Sequence, residues 1–386
     1  MCDARVVLVV SALAALGYIY LGYPALIGLA ARLASRRRID LDGAGGAPAG
    51  GEPLVSILLP VSGGASALPR KIESLLAQDH PASRIEILIY CDGCVDDSEA
   101  VARAAAAGPQ AAGRLRVFSE PRRSGKASAI NRLAAEARGE LLLLTDVRQP
   151  LSPNAARALA AALSDPAVGC ATGRLVLEGN AGSGAYWRYE NWIRTQESRF
   201  RGVVGMTGAI AMMRRADFVP MPEALILDDV WIPMRLALGG KRARLVSEAE
   251  AYDVAFDDER EFRRKVRTLA GNYQLFGLLP SLLVPFRNPI WWETFSHKVL
   301  RLCAPWLLAL LLAASSSVVW SATRSRTAGG TAMRVLVAAQ LAFYLAAAPG
   351  ARAGRLAGLA RTFVVLNAAA VVGLWRYLVR RQRGTW

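Results

Sequence analysis

Histidine and cysteine are both scarce. Two histidines, His80 and His297, and five cysteines stand among 386 residues. The cysteines, Cys2, Cys91, Cys94, Cys170 and Cys303, are odd in number and scattered, so they do not read as a disulfide framework. Cys91-Asp-Gly-Cys94 has Cys-x-x-Cys spacing, but a zinc site wants a second pair and a redox pair wants to open a helix. Any aromatic-interleaved basic module of the DNA- or RNA-reading kind is also missing. The net charge of +16 therefore does not point to a nucleic-acid partner. The first apolar run lacks a basic leader and a cleavage site, and it is too long for a removable signal peptide.

What is plentiful is apolar surface, at 53% of residues, with arginine as the dominant charge. Discrete apolar segments flanked by arginines that meet anionic headgroups account for both. Val6 to about Ala31 exceeds the ~20 residues needed to span a bilayer. Arg32, Arg36, Arg37 and Arg38 follow directly, which places that end in the cytoplasm. Residues 1–34 are thus expected as an N-terminal transmembrane helix, and 35–52, rich in Gly, Ala and Pro from Asp42 to Pro53, as a flexible linker. Near the other end, Leu302–Trp320 is a clear span, while Val335–Ala348 and Thr362–Trp375 are short and need their flanks to cross. Three crossings in 299–386 put the C-terminus outside, whereas the four arginines of Arg376–Trp386 argue for the inside.

Between these ends the pattern alternates. Strands are expected at Val55–Pro60, Arg84–Tyr90, Leu115–Phe118 and Leu141–Leu144, separated by helices at Lys71–Gln78, Ser98–Ala107 and Ala127–Arg138. Such spacing gives right-handed βαβ units and an α/β fold with a mostly parallel sheet over residues 53–256. Further elements follow: a helix at Ala155–Leu163, a strand at Gly169–Leu177, an aromatic helix at Tyr186–Arg199, strand Ile210–Arg214, a helix opened by Asp228–Asp229, and a closing strand at Arg242–Ser247. Residues 257–298, a basic helix and then a Pro-interrupted apolar stretch, suit the membrane interface and its lipids.

Chemistry concentrates at the strand ends. Leu141-Leu-Leu-Leu-Thr-Asp146 reads as a strand buried on both faces that delivers an acid to the sheet rim, where open α/β sheets bind ligands. Asp92 sits at a second strand end, although Asp-Gly also favours a plain turn. Asp228 and Asp229 open a helix, as N-capping acids or as a general base toward a hydroxyl. Arg263, Arg264, Lys265 and Arg267 can neutralise a leaving diphosphate or touch lipid phosphates. The assembly suits transfer from a nucleotide-diphosphate donor beside a membrane.

From about Pro53 to Gln274 the chain resembles membrane-bound family 2 glycosyltransferases, the group of cellulose, chitin and hyaluronan synthases. The stretches that carry the resemblance are Val55–Pro60, Asp92-Gly-Cys-Val-Asp-Asp97, Gly125-Lys126-Ala-Ser-Ala-Ile-Asn131, Thr145-Asp146, Leu227-Asp228-Asp229 and Arg264-Lys265-Val-Arg267. The resemblance implies a Rossmann-like GT-A domain in the cell (inner) membrane, facing the cytoplasm. It implies inverting transfer of a sugar from a nucleotide-diphosphate sugar to a glycan or lipid-linked acceptor, helped by Mg²⁺ or Mn²⁺. It assigns the nucleotide to Asp92 and the diphosphate to Lys126, Lys265 and Arg267. Asp146 takes the metal or diphosphate, and Asp229, beside Asp228, takes the acceptor proton. The sequence departs from the family in three places: Ser62-Gly63-Gly64 replaces Tyr-Asn-Glu, Thr268 stands where a Trp is expected, and Asp146-Val147-Arg148 replaces Asp-x-Asp. Arg148 would then share the diphosphate with Asp146. The same departures suit a non-catalytic subunit working with other polysaccharide-assembly proteins.

Overall fold

Seven apolar segments bounded by turn residues form one sheet. They are β1 (Val55–Val61), β2 (Ile85–Asp92), β3 (Leu115–Glu120), β4 (Leu141–Thr145), β5 (Val168–Glu178), β6 (Ile210–Arg214) and β7 (Arg242–Val254). The computed structural model describes residues 3–38, 51–111, 113–178, 184–254, 258–322, 328–348 and 354–379. Most of the expected linker (39–50) and the end of the arginine-bearing tail (380–386) lie outside the described residues. The strand order is β3-β2-β1-β4-β6-β5-β7, with β6 alone antiparallel to its neighbours. Strand order reverses at β1, so the carboxyl ends of β1 and β4 frame the crevice where open sheets place ligands.

The period of two along each strand decides which helix meets which residue. Ile57, Leu59, Ile87, Ile89, Leu141 and Leu143 face one way, against α3 (Leu68–Leu76), α4 (Ser98–Ala107) and α6 (Ala155–Ala162). Leu58, Leu88, Leu142 and Leu144 face the other way, against α5 (Lys126–Glu136) and α8 (Asp228–Leu238). Every residue of β1 and β4 is buried, as a parallel strand covered on both faces must be.

Outside the sheet, α1 (Ala4–Gly17) and α2 (Tyr23–Arg38) join through a π turn, Tyr18–Gly22. A second π turn, Phe295–Val299, links α10 (Trp291–Thr294) to α11 (Leu300–Ala322). With α12 (Ala328–Ala347) and α13 (Arg355–Leu378) these make four stretches long and apolar enough to cross a membrane: Ala4–Ala34, Trp291–Ser321, Gly330–Ala347 and Ala357–Leu378. The second of these starts inside the stretch expected to lie at the interface. The basic helix α9 (Asp258–Leu278) packs on α13, where Tyr273 stacks on Tyr377 with ring centroids 6.3 Å apart. A methyl on Gly373 would sit 3.2 Å from the Val266 carbonyl oxygen, so the two helices touch backbone to backbone.

A buried polar network ties the sheet domain to these helices. Helix α7 (Gly184–Phe200) contributes Glu190 and Glu197. The Tyr23 hydroxyl donates to Glu197 Oε1 at 2.7 Å, and His297 Nδ1 lies 2.6 Å from the same oxygen. His297 Nε2 is 3.1 Å from Glu190 Oε2, and Arg301 pairs with Glu190. Burial alone would raise the Glu190 carboxyl, but Arg301 and His297 hold it well below the usual carboxylate range. The two π turns meet here too: Tyr18 Oη lies 2.8 Å from Ser296 Oγ and accepts from Trp292 Nε1 at 2.9 Å. Removing one partner of a buried pair strands the other charge. Glu190→Ala should therefore lower unfolding free energy by about 3–5 kcal/mol, whereas removing the exposed Glu261–Arg264 pair by Glu261→Ala should cost less than about 1 kcal/mol. Thermal unfolding in detergent reads the contrast.

Candidate active site

Strand parity continues past the end of β4. Thr145 shares the face of Leu141 and Leu143, toward α3. Asp146 shares the face of Leu142 and Leu144, toward α5 and α8. On the α3 side, fully buried Lys71 donates to Thr145 Oγ1 at 2.6 Å and to the Gln149 carbonyl. Its ammonium is pushed down to about 7 by burial, against the pull of Asp146. On the α5 side, Lys126 Nζ lies 2.8 Å from Asp146 Oδ1 and 3.0 Å from Asp228 Oδ2. Burial works against that ammonium, but Asp146 and Asp228 outweigh it and hold it charged well above the ordinary lysine range.

Asp92 explains why Lys126 stands there. It ends β2 with the parity of Leu88 and Tyr90, so it too faces α5. Its carboxylate is fully buried and accepts from Ser124 N (2.7 Å), Ser124 Oγ (2.9 Å) and Gly125 N (2.8 Å). Those bonds fix the turn that launches α5, with Gly125 at φ +97°, a left-handed value suited to glycine, and Lys126 as the first helical residue. Asp92, expected to meet the nucleotide, is thus a carboxylate that also organises its own chain.

Asp229 lies one residue beyond Asp228 on α8. The loop Gly202–Gly208 docks on this helix start through Met206 N, which donates to the Asp229 carbonyl at 2.8 Å. A methyl on Gly208 would sit 3.8 Å from both Asp146 Oδ2 and Asp229 Oδ2, so glycine keeps a gap open between the two acids. Asp229 Oδ1 is buried with no hydrogen bond among the described residues. Burial, and then the Asp228 charge, push its carboxyl up to about 6. Two cations flank the loop from behind. Arg194 donates to Thr207 Oγ1 at 3.0 Å, and Lys298 Nζ would lie 3.9 Å from a methyl on Gly205.

The remaining candidates separate. Arg148 donates to Asp253 Oδ2 at 2.7 Å, and Gln149 Nε2 donates to the same oxygen at 2.7 Å. The arginine expected to share a diphosphate with Asp146 therefore has a carboxylate partner on β7. Lys265 lies 3.4 Å from Glu261 and 5.9 Å from the centre of the Tyr186 ring. Arg267 lies on the face of α9 that carries Gly271 and Gln274. Gln274 holds Ile226 N and the Ala224 carbonyl, just before Asp228. Arg267 Nε is buried with no hydrogen bond among the described residues. Ser62–Gly64 form a turn whose Gly64 and Ala65 amides donate to Asp96 Oδ2 at 2.8 and 3.1 Å. The Ser98 hydroxyl, with those amides, holds Asp96 far below the carboxylate range.

Lys71, Arg194 and Lys298 are site residues that motif reading passed over. Lys71 carried a signal, since it lies on the Leu68–Ile72–Leu75 stripe of an amphipathic helix, where a charge is out of place. Asp92→Ala should leave the Ser124 and Gly125 amides buried and unpaired. The expected cost is about 2–4 kcal/mol of stability, with faster amide hydrogen exchange confined first to residues 122–130.

Comparison with known proteins places these residues in a family. Residues 56–219 match Glycosyl transferase family 2, so Asp92, Lys126, Asp146 and Arg148 lie inside the match, and Asp228, Asp229, Lys265 and Arg267 lie beyond it. An N-acetylglucosaminyltransferase of Rhizobium leguminosarum bv. viciae is 28% identical over 172 residues, which are 42% of this chain. The matched stretch spans 40% of that relative's length. The structure of the mannosyltransferase PcManGT from Pyrobaculum calidifontis in complex with GDP-Man and Mn²⁺ superposes with a TM-score of 0.72 at 21% identity. That superposition covers 97% of this chain and 99% of the other, so the fold is shared from end to end. Residues 56–219 are therefore a glycosyl transferase family 2 domain, set in a GT-A-like fold that includes four helices able to span a membrane.

Proposed function

We propose that this chain is a membrane glycosyltransferase. It transfers a sugar, with inversion, from a nucleotide-diphosphate sugar on the cytoplasmic side of the cell membrane to a hydroxyl of a glycan or lipid-linked acceptor. The observation that carries this reading is Asp229. Its carboxyl stands across the Gly208 gap from Asp146, has a buried oxygen without a hydrogen-bond donor, and sits in surroundings that raise its proton affinity. A carboxylate so placed accepts a proton from an attacking hydroxyl near neutral pH. The family match and the activities named for the two relatives point the same way.

Each group has a task in this reading. Lys126 faces the diphosphate with an ammonium already held by Asp146 and Asp228, so no reorganisation is needed when charge builds on the leaving group. Arg267, whose Nε is buried without a hydrogen bond among the described residues, offers its guanidinium from α9 to the same leaving group. The acceptor reaches Asp229 past the Gly205–Gly208 loop, from the side where Lys298 links the site to the membrane helices. The turn at Ser62–Gly64 and the Arg148–Asp253 pair favour a second reading, a subunit that keeps the fold without transferring sugar.

Donor turnover in detergent, measured over a panel of nucleotide sugars, tests the assignment. Asp229→Asn should lose roughly 10²–10⁴-fold in kcat while still binding the nucleotide diphosphate. Retained turnover removes the base assignment, and a protein that binds no nucleotide supports the subunit reading. For the native protein, kcat/KM should rise about tenfold per pH unit up to about pH 6 and then level, because only the carboxylate accepts the proton. The same shift has a stability sign. A carboxyl whose folded pKa lies above its unfolded value destabilises the fold once both states are ionised. Asp229→Asn should therefore be more stable than the native protein above pH 6, by on the order of 3 kcal/mol, with the difference fading as pH falls from about 6 to about 4.

A further inference from the structure

The metal expected at Asp146 can be tested against the residues around it. A divalent cation at such a site needs one or two carboxylate oxygens facing an open position, at about 2.0–2.1 Å for Mg²⁺. Here the position on which Asp146 Oδ1 and Asp228 Oδ2 converge is filled by Lys126 Nζ, at 2.8 and 3.0 Å. The residue that would complete Asp-x-Asp is Arg148, and it is paired with Asp253. Among the described residues no group of three His, Cys, Asp or Glu side chains is placed to hold a metal ion. A second lysine, Lys71, is buried on the other side of Thr145–Asp146 and donates to Thr145 Oγ1, so Asp146 lies between two lysine amines. The residues do not fit the metal.

We propose that Lys126 is the site's resident cation and takes the place of the divalent metal, so that donor binding and transfer need none. This deepens the donor-site reading above and rests on it. The position is built rather than incidental. Asp92 uses its whole carboxylate to hold Ser124 and Gly125, and the helix that begins there carries Lys126 into the gap between β4 and α8. The side chain is only 13% exposed, so the ammonium is shielded from water that would weaken it. An ammonium has three N–H groups. Ion pairing with Asp146 and Asp228 engages at most two of them, which leaves one for a diphosphate oxygen. A lysine stem also fixes where the charge sits, which a metal would need a further carboxylate to do.

The test uses the full chain in detergent, stripped with EDTA, with GDP, UDP and Mn²⁺ as probes. Nucleotide Kd by calorimetry should change by less than about twofold between EDTA and added Mn²⁺. The free Mn²⁺ signal in electron paramagnetic resonance should stay undiminished on adding native protein. Lys126→Ala frees two carboxylates. It should take up one Mn²⁺ and, without the metal, bind the nucleotide roughly ten- to a hundredfold more weakly, with recovery on adding Mn²⁺. Lys126→Arg keeps the charge and should keep metal-free binding, which guards against a folding defect in the alanine variant. Native protein that takes up Mn²⁺, or binds nucleotide only when Mn²⁺ is present, overturns the proposal. If neither nucleotide binds under any condition, the donor-site reading fails, and the Mn²⁺ titration of native protein and Lys126→Ala still decides what occupies the cation position.

Discussion

One ammonium group holds the site together. Lys126 touches an acid from the sheet and an acid from α8, and the turn that precedes it is held by an acid at the end of a different strand. Without that charge, Asp146, Asp228 and Asp229 would place three carboxylates in a half-buried space, and mutual repulsion would protonate some of them or push α8 away from the sheet. With it, Asp146 and Asp228 are paired with a cation. Asp229 keeps a raised proton affinity from its burial and from the Asp228 charge, with Lys126 pulling the other way.

The fold was legible because its signals are local. Alternation along β1, β2 and β4, and the long apolar runs at both ends, follow from solvation of single elements, and the seven strands stand close to where the residue pattern puts them. Acids at strand ends were legible for the same reason. Their partners were not. Whether Asp92 faces a ligand or the chain depends on where α5 starts, and that depends on Gly125 adopting a positive φ. Arg148 could be read as a change of charge beside Asp146. That it would turn to Asp253, more than a hundred residues later on β7, depends on strand order. Lys71 shows the intermediate case, a charge visibly misplaced on an apolar helix face whose purpose appears only once β4 lies over it.

The membrane helices are not a separate module attached to the sheet domain. Helix α7 shares buried acids with α2 and α11, α9 lies between α13 and the segment leading into Asp228, and Lys298 from the second long helix comes up beside the Gly205 loop. Sliding of the long apolar helices relative to the sheet would therefore be felt at the Gly205 loop beside Asp229 before it reached Lys126. The site has a rigid half, built on strand ends, and a half whose geometry is set partly by helix packing.

The contacts made by the two π turns carry a consequence for how the chain is assembled. Tyr18 and Tyr23 belong to the first span to be synthesised, yet the partners of their hydroxyls lie 278 and 174 residues further along. Until Glu197 and Ser296 have been made and brought back, that span must rest in lipid with polar atoms that nothing in its own helix satisfies. The Tyr23 bond can close only once the chain has reached residue 197, and the Tyr18 contact only after the whole sheet has been translated and residue 296 has followed it.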